Sequence, residues 1–473
     1  MSFRIFDTYQ RQKIVFESIE ENKALLYHCG PTVYNYAHIG NYRAYILSDL
    51  IRRWLEVNGY EVRQIMNITD VDDKTIKKAV ADQVPLNSIT DYYRDAFFED
   101  IDRLHIQRAH VYPAATDHIN EMVDIIKSLI EKGHAYKTDD GSVYFRVQSY
   151  SEYGNLSGKK LEDLRVGERV TSDEYESKDD VRDFALWKAW DERDGDVFWE
   201  TDIGKGRPGW HIECSAMSMK HLGKNFDIHT GGADNIFPHH ENEIAQSKCA
   251  TGEGFSKYWM HCDYLVVEGK KMSKSLGNFF TLRDLIEKGY TARSLRYILI
   301  GTHYRSRLNF TENGLNAAIS AIKRLDEFRG SWQEFPVGES NIEFVNLLNE
   351  TDDKFNEAMN DDLNVSNAMA AVFNFVRIAN SMHAHGDLFS EDVKALEAIW
   401  QKWDKALGIF VPFSEELKDN SEIDSTWIED QITLRNQARK DKNWAEADRI
   451  RDELADAGIL IKDGPDGTNW KKM

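Results

Sequence analysis

A short apolar run, Ala24 to Tyr27, leads through Cys29-Gly30-Pro31 into a polar loop, and His38-Ile39-Gly40-Asn41 then opens a new segment. In that segment Ile46, Leu47, Leu50, Ile51, Trp54 and Leu55 recur at three- and four-residue steps, the period of a helix with one buried face. Asn58-Gly59 supplies its stop, and Tyr60 to Ile68 alternates like a strand. Strand, loop, helix and strand make a βαβ unit, so the fold class is α/β with a parallel sheet. In such sheets ligands sit at the carboxyl ends of strands, where helix N-termini present N–H groups to anions. The Cys29 loop and the His38 to Asn41 segment lie at that edge, and a phosphate-bearing ligand is expected there. The loop contains neither G-x-G-x-x-G nor G-x-x-x-x-G-K-[ST], which excludes a dinucleotide fingerprint and a P-loop. Taken alone, the stretch also fits an ordinary βα turn with an incidental histidine.

With 473 residues and 41% hydrophobic content, the chain is expected to fold as roughly two to four domains. The first residues, MSFRIFDTYQRQ, hold no apolar core of a signal peptide, and no long uninterrupted apolar run occurs. A cytoplasmic protein without membrane partners is expected. Cys29, Cys214, Cys249 and Cys262 lack the dense spacing of a disulfide framework, so reduced thiols or metal ligands are the expectation. The net charge of −21 argues against indiscriminate nucleic-acid binding and against DNA as a partner, while leaving room for a local basic site.

Helical spacing continues over Asp91–Leu104 and Ala115–Glu131, with a short strand expected between them at Ala109 to Tyr112. Residues 132–199 change character, with a hairpin turn at Asp139 to Ser142 and an acidic patch from Asp173 to Asp180; they read as an insertion between sheet halves 1–131 and 200–267. The second half offers a helix in GWHIECSAMSMKHLG, a strand in FDIHTGG, a helix from Pro238 to Cys249, and a strand from Trp259 to Val267. Residues 268–310 form a lysine-flap region with a cap at Thr281-x-x-Asp284, 311–407 a helical bundle, and 408–473 a small mixed α+β domain. In the last, helices over Trp427–Arg439 and Trp444–Ala457 precede a hairpin turning at Gly464 to Gly467.

Two sets of side chains suggest chemistry. Cys214, and His239 with Glu243 four residues later, can converge with Cys29 at the sheet's carboxyl edge in a zinc-type donor set. His240, Cys249 and Cys262 compete for the same role, and buried thiols or a surface His–Glu pair are the plain alternatives. Lys270, Lys271 and Lys274, among Gly269, Ser273, Ser275 and Gly277, form a cationic loop suited to neutralising a triphosphate; the alternative is a solvated basic turn.

His38-Ile39-Gly40-Asn41 paired with Lys271-Met272-Ser273-Lys274-Ser275 resembles the two signatures of class I aminoacyl-tRNA synthetases. HCGPTVY, NITDVDDK, GWHIECSAM, FPHHENEIAQS and the closing AD-x-IRD-x-L pattern resemble the cysteinyl-tRNA synthetase family, over about Phe6 to Trp470. The resemblance implies a Rossmann-like catalytic domain that activates L-cysteine with ATP and Mg2+ and charges the 3′ end of tRNA(Cys). It implies one Zn2+ per chain on Cys29, Cys214, His239 and Glu243. It implies catalytic and ATP-binding roles for His38, Lys271 and Lys274, with Gly40 and Asn41 at the nucleotide. Cys29, Gly30, Thr69, Trp210 and His239 would line the cysteine pocket. Arg435, Arg439, Arg449 and Arg451 would approach the tRNA, or pair with Asp441, Asp448 or Asp452. Position 41, often histidine in that family, is asparagine here, an amide that hydrogen-bonds but does not become cationic. A side-chain pocket separates isosteres such as serine and cysteine by only about a hundredfold, which is why a thiol-selective metal suits this substrate and no editing domain is expected. A monomer is expected. A cysteine-to-amino-sugar ligase on the same core, and a zinc-stabilised RNA-binding protein without catalysis, are the other readings.

Overall fold

The computed structural model describes residues 2–160, 178–273, 276–413, 425–441, 443–456, 459–464 and 467–472. The strand Lys23–His28 and the helix Ile39–Val57 occupy the places the apolar periods predict. The helix starts where His38, in extended conformation, accepts the Asn41 backbone N–H, while the Asn41 side chain accepts the His38 N–H. This reciprocal cap satisfies two donors that a helix start otherwise leaves unpaired. The sheet behind it has four parallel strands in the order Ser256–Cys262, Phe226–Gly232, Lys23–His28, Glu61–Met66.

Several expectations are corrected. Ala109 to Tyr112 does not form a strand: only isolated parallel bridges join Ile65 to Val111 and Ile68 to Ala114 beyond the Glu61–Met66 edge. The run expected as one strand from Trp259 to Val267 divides after Cys262, and Leu265–Val267 joins a different, three-stranded sheet with Lys270–Lys271 and Leu308–Phe310. The buried Arg43 causes the break, drawing the Asp263 and Tyr264 carbonyls onto its Nη1 at 2.7 and 3.1 Å. A helix over Asp73–Asp82, capped by Asp72, was not anticipated. The helix expected from Pro238 begins at Glu241 instead, after an irregular turn over Ile236–His240 in which Phe237 is extended. The insertion carries a five-stranded antiparallel sheet that ends with Trp199–Thr201 and Gly204–Pro208, past the expected boundary at 199. Of the acidic patch, Asp173 to Glu176 and Ser177 lie outside the described residues.

The helices Glu312–Ser331, Ile342–Asn360, Val365–His385 and Ser390–Leu407 form the expected bundle, but it is not independent of the sheet. One continuous buried core runs from Phe3 and Ile5 through Ile51 and Trp54 to Phe355, Trp403 and Phe410. A buried ion network reinforces it. Arg296 meets Asp49 at 2.5 Å and donates to the Leu407 and Leu104 carbonyls, while Arg53 meets the same carboxylate at 2.8 Å. Burial pushes the Asp49 carboxyl up, but the two guanidinium groups outweigh it and hold it below the usual carboxylate range. Arg296→Met strips one partner from a buried charge and orphans two carbonyls. It is expected to cost about 3–5 kcal/mol, seen as a lowered urea midpoint for residues 2–411. An unchanged midpoint would show that the network contributes nothing net.

The chain divides into two units, Met1–Val411 and Pro412–Met473. In the second, the helices Ser425–Lys440 and Trp444–Asp456 and the hairpin of Ile459–Gly464 with Gly467–Lys472 pack around Ile432, Ile450, Leu454 and Ile459. Pro465 and Asp466 of the expected turn lie outside the described residues. Among the described residues no helix is long and apolar enough to cross a membrane.

Candidate active site

Cys29 directly follows the strand Lys23–His28, and Cys214 lies in the second turn of the helix Trp210–Leu222. His239 precedes the helix Glu241–Thr251, and Glu243 lies in its first turn. All four are buried, and their donor atoms lie within 4.8 Å of one another. The two Sγ atoms are 3.9 Å apart, and His239 Nε2 is 3.0 Å from Glu243 Oε1. Two thiolates on tetrahedral corners at the usual Zn–S length are about 3.8 Å apart, so this donor set fits zinc in chemistry and in spacing. Cys249 and Cys262, the competing thiols, belong to neither four-residue donor cluster found among the described residues.

His240 does approach the site, in a second set with Cys29, His229 and Glu243. Its Nε2 is 3.2 Å from Cys29 Sγ, while His229 Nε2 takes the other carboxylate oxygen, Oε2 of Glu243, at 2.8 Å. Further out, His240 Nδ1 meets His261 at 2.7 Å and His211 Nδ1 meets His239 Nδ1 at 2.9 Å. Imidazoles in such outer positions orient the donors they touch. Burial raises the Glu243 carboxyl, yet His229 and His239 outweigh it and lower it to about 2. Burial lowers the His239 imidazole, yet Glu243 and Cys214 raise it to about 10.

His211, His229 and His261 were missed from the sequence. Their only signal was a polar residue within an otherwise buried helix or strand, as in Phe-Asp-Ile-His-Thr.

Trp210, exposed, stacks on the His239 ring with centroids 4.1 Å apart and planes at 22°. Thr69 is buried, and its hydroxyl donates to Glu213 at 2.9 Å while accepting from Asn67 at 3.2 Å. Gly30 donates its N–H to the Asn67 side chain at 2.9 Å, and a Cβ at Gly30 would overlap the Asn67 carbonyl oxygen. Glycine is therefore required for the backbone approach beside Cys29.

The other end of the loop meets the lysine-bearing segment. Ile39 donates to the Phe280 carbonyl at 3.0 Å, and the His38 ring lies edge-on to Phe279. A Cβ at Gly40 would sit 3.0 Å from the His38 ring, a tight contact within the same signature, and 3.4 Å from the Met272 methyl of the other, an ordinary one. Burial lowers the His38 pKa, opposed by Asp234. Because Nδ1 accepts the Asn41 N–H, the neutral ring carries its proton on Nε2. Asn41 commits its Oδ1 to the cap, accepting the His38 N–H. Lys271 is exposed on the strand Lys270–Lys271, whereas Lys274 lies outside the described residues.

In the second unit Arg435, expected to approach the tRNA, is buried. Arg449 and Arg451 are exposed and Arg439 is half-buried. Arg449 pairs with Glu446 and Glu453 rather than with the aspartates expected.

A family profile described as "tRNA synthetases class I (C) catalytic domain" matches residues 15–320, a "DALR domain" profile 354–411, and a "Cysteinyl-tRNA ligase anticodon binding domain" profile 429–470. The chain is 47% identical to the cysteine–tRNA ligase of Protochlamydia amoebophila, covering 99% of this chain and 98% of that one. It is 48% identical to that of Brachyspira hyodysenteriae, with the same coverage of 99% and 98%. Among solved structures, Mycobacterium tuberculosis methionyl-tRNA synthetase in complex with methionyl-adenylate superposes with a TM-score of 0.61 at 14% identity, covering 82% of this chain and 92% of that one, a likeness of fold. The chain belongs to the cysteinyl-tRNA ligase family of class I aminoacyl-tRNA synthetases.

Proposed function

We propose that the chain joins L-cysteine to ATP, forming cysteinyl-adenylate and pyrophosphate, and then passes the cysteinyl group to the 3′ end of tRNA(Cys), acting as a monomer in the cytoplasm. The observation that carries this reading is the junction of two sites on one loop: the Cys29 donor set at one end and the His38 signature against the lysine segment at the other.

Cys29, Cys214, His239 and Glu243 would hold one zinc ion, which would supply a soft Lewis acid that prefers a thiol to a hydroxyl. His229 and His240 orient Glu243 and Cys29. Trp210 fixes the His239 ring and presents its exposed face to the amino acid, with Gly30 and Thr69 shaping the floor. His38 Nε2–H donates to a phosphate oxygen of Mg-bound ATP beside Gly40 and Asn41, and Lys271 with Lys274 neutralises charge as pyrophosphate departs. The carboxylate of cysteine attacks the α-phosphate in line, so catalysis is positioning and charge stabilisation, with no acylated side chain. Arg439, Arg449 and Arg451 remain the proposed tRNA contacts of the second unit. The match to an anticodon-binding profile over 429–470 favours tRNA over an amino sugar as acceptor.

Cysteine-dependent exchange of labelled pyrophosphate into ATP tests the reading. Exchange is expected with cysteine and at least about a hundredfold slower with serine or alanine. No exchange with cysteine by zinc-replete protein would overturn it.

A further inference from the structure

The helix Asp73–Asp82 and the loop at Tyr34 enclose a shallow groove of about 290 Å³ lined by Tyr34, Lys74, Lys77, Lys78, Ala81 and Asp82. In a chain of net charge −21, a groove with three lysines is a local reversal of the field that a polyanion would meet. The carboxylates nearby are already engaged. Asp72 caps the helix, Asp73 pairs with Lys188 and Arg207, Asp70 accepts from Thr116, and Asp82 pairs with Lys78 at 2.7 Å. Lys74 and Lys77 are exposed and make no ion pair among the described residues. Lys74 Nζ instead lies 5.5 Å from the centre of the half-buried Tyr34 ring. Ammonium groups beside an aromatic face are what unpaired nucleotides use, phosphates on the cations and a base on the ring.

Hydrogen bonds also link the Tyr34 loop to the segment beside the donor cluster. Thr69 donates to the Pro31 carbonyl at 3.0 Å and accepts from Val33 N–H at 3.1 Å, tying the Tyr34 loop to the segment that enters the helix. Thr69 in turn contacts Glu213, the neighbour of Cys214. We propose that Tyr34, Lys74 and Lys77 bind the unpaired 3′ end of an RNA and lead it towards the Cys29 cluster. The proposal rests on the tRNA-charging reading, for which it supplies a contact surface in the first unit.

The full-length protein with a tRNA(Cys) transcript, intact or lacking its unpaired 3′ nucleotides, tests it. Lys74→Ala/Lys77→Ala is expected to weaken binding of the intact transcript about tenfold and to reduce the slope of log affinity against log salt by roughly 1.4. The Lys74→Arg/Lys77→Arg pair should retain binding, and Tyr34→Leu should weaken it at least about fivefold. Pyrophosphate exchange, which requires no RNA, should be unchanged in the lysine variants. The deficit should vanish with the shortened transcript. Wild-type affinity and salt slope in the Lys74→Ala/Lys77→Ala protein would overturn the proposal, as would an equal deficit on the shortened transcript. Loss of exchange in the wild-type protein would instead strike the charging reading itself.

Discussion

Cys214→Ser is expected to lower bound zinc from about one per chain to a small fraction of that, and to slow cysteine-dependent pyrophosphate exchange at least about a hundredfold. The side chain is buried 3.9 Å from Cys29, within the donor cluster. A serine hydroxyl stays protonated where a thiol ionises, and it is the harder, poorer ligand for zinc. Cys249→Ser is the matched control. That thiol is also buried, which pushes it up to about 11, but it lies outside both donor sets. Elemental analysis of the two purified variants decides the matter. Full zinc content in Cys214→Ser would refute the ligand assignment, and zinc loss in Cys249→Ser would show the readout to be a folding effect.

His38→Ala is expected to slow exchange by roughly 10²–10³ at saturating ATP, the scale for losing one preorganised donor to a developing charge. The KM for cysteine should change little, because the donor set lies at the other end of the loop. His38 also caps the helix Ile39–Val57, and removing a cap costs about 1 kcal/mol. His38→Asn separates the two roles, since asparagine is among the best N-caps but offers its amide at a different reach. The asparagine variant should match the wild type in thermal stability and remain slow in exchange. Wild-type exchange rates in His38→Ala would remove the histidine from the nucleotide site.

Much of the scaffold was legible because its determinants are local. The apolar period set the helix Ile39–Val57, a short apolar run and an alternating stretch set its flanking strands, and Thr281 with Asp284 marked a cap that the structure contains. The Cys29, Cys214, His239 and Glu243 set was open to competition from His240, Cys249 and Cys262 on spacing alone, and only the motif resemblance singled it out. The break after Cys262 was not legible, since it depends on Arg43 reaching the Asp263 carbonyl from 220 residues away. Nor was the shared core of sheet and bundle, where the Trp54 indole N–H donates to Asn360 across 306 positions.

By itself, then, the chain's order of residues determined the βαβ start, the run of helices after Thr311 and the types of donor available for chemistry, because periodicity and capping act within a few residues. The tertiary structure decided which donors meet. It set Glu243 between His239 and His229, brought His240 onto Cys29, buried Arg435, and closed the His38 cap against Phe279 and Met272. Those outcomes depend on the register of parallel strands and the packing of helices far apart in the chain, quantities that no local pattern encodes.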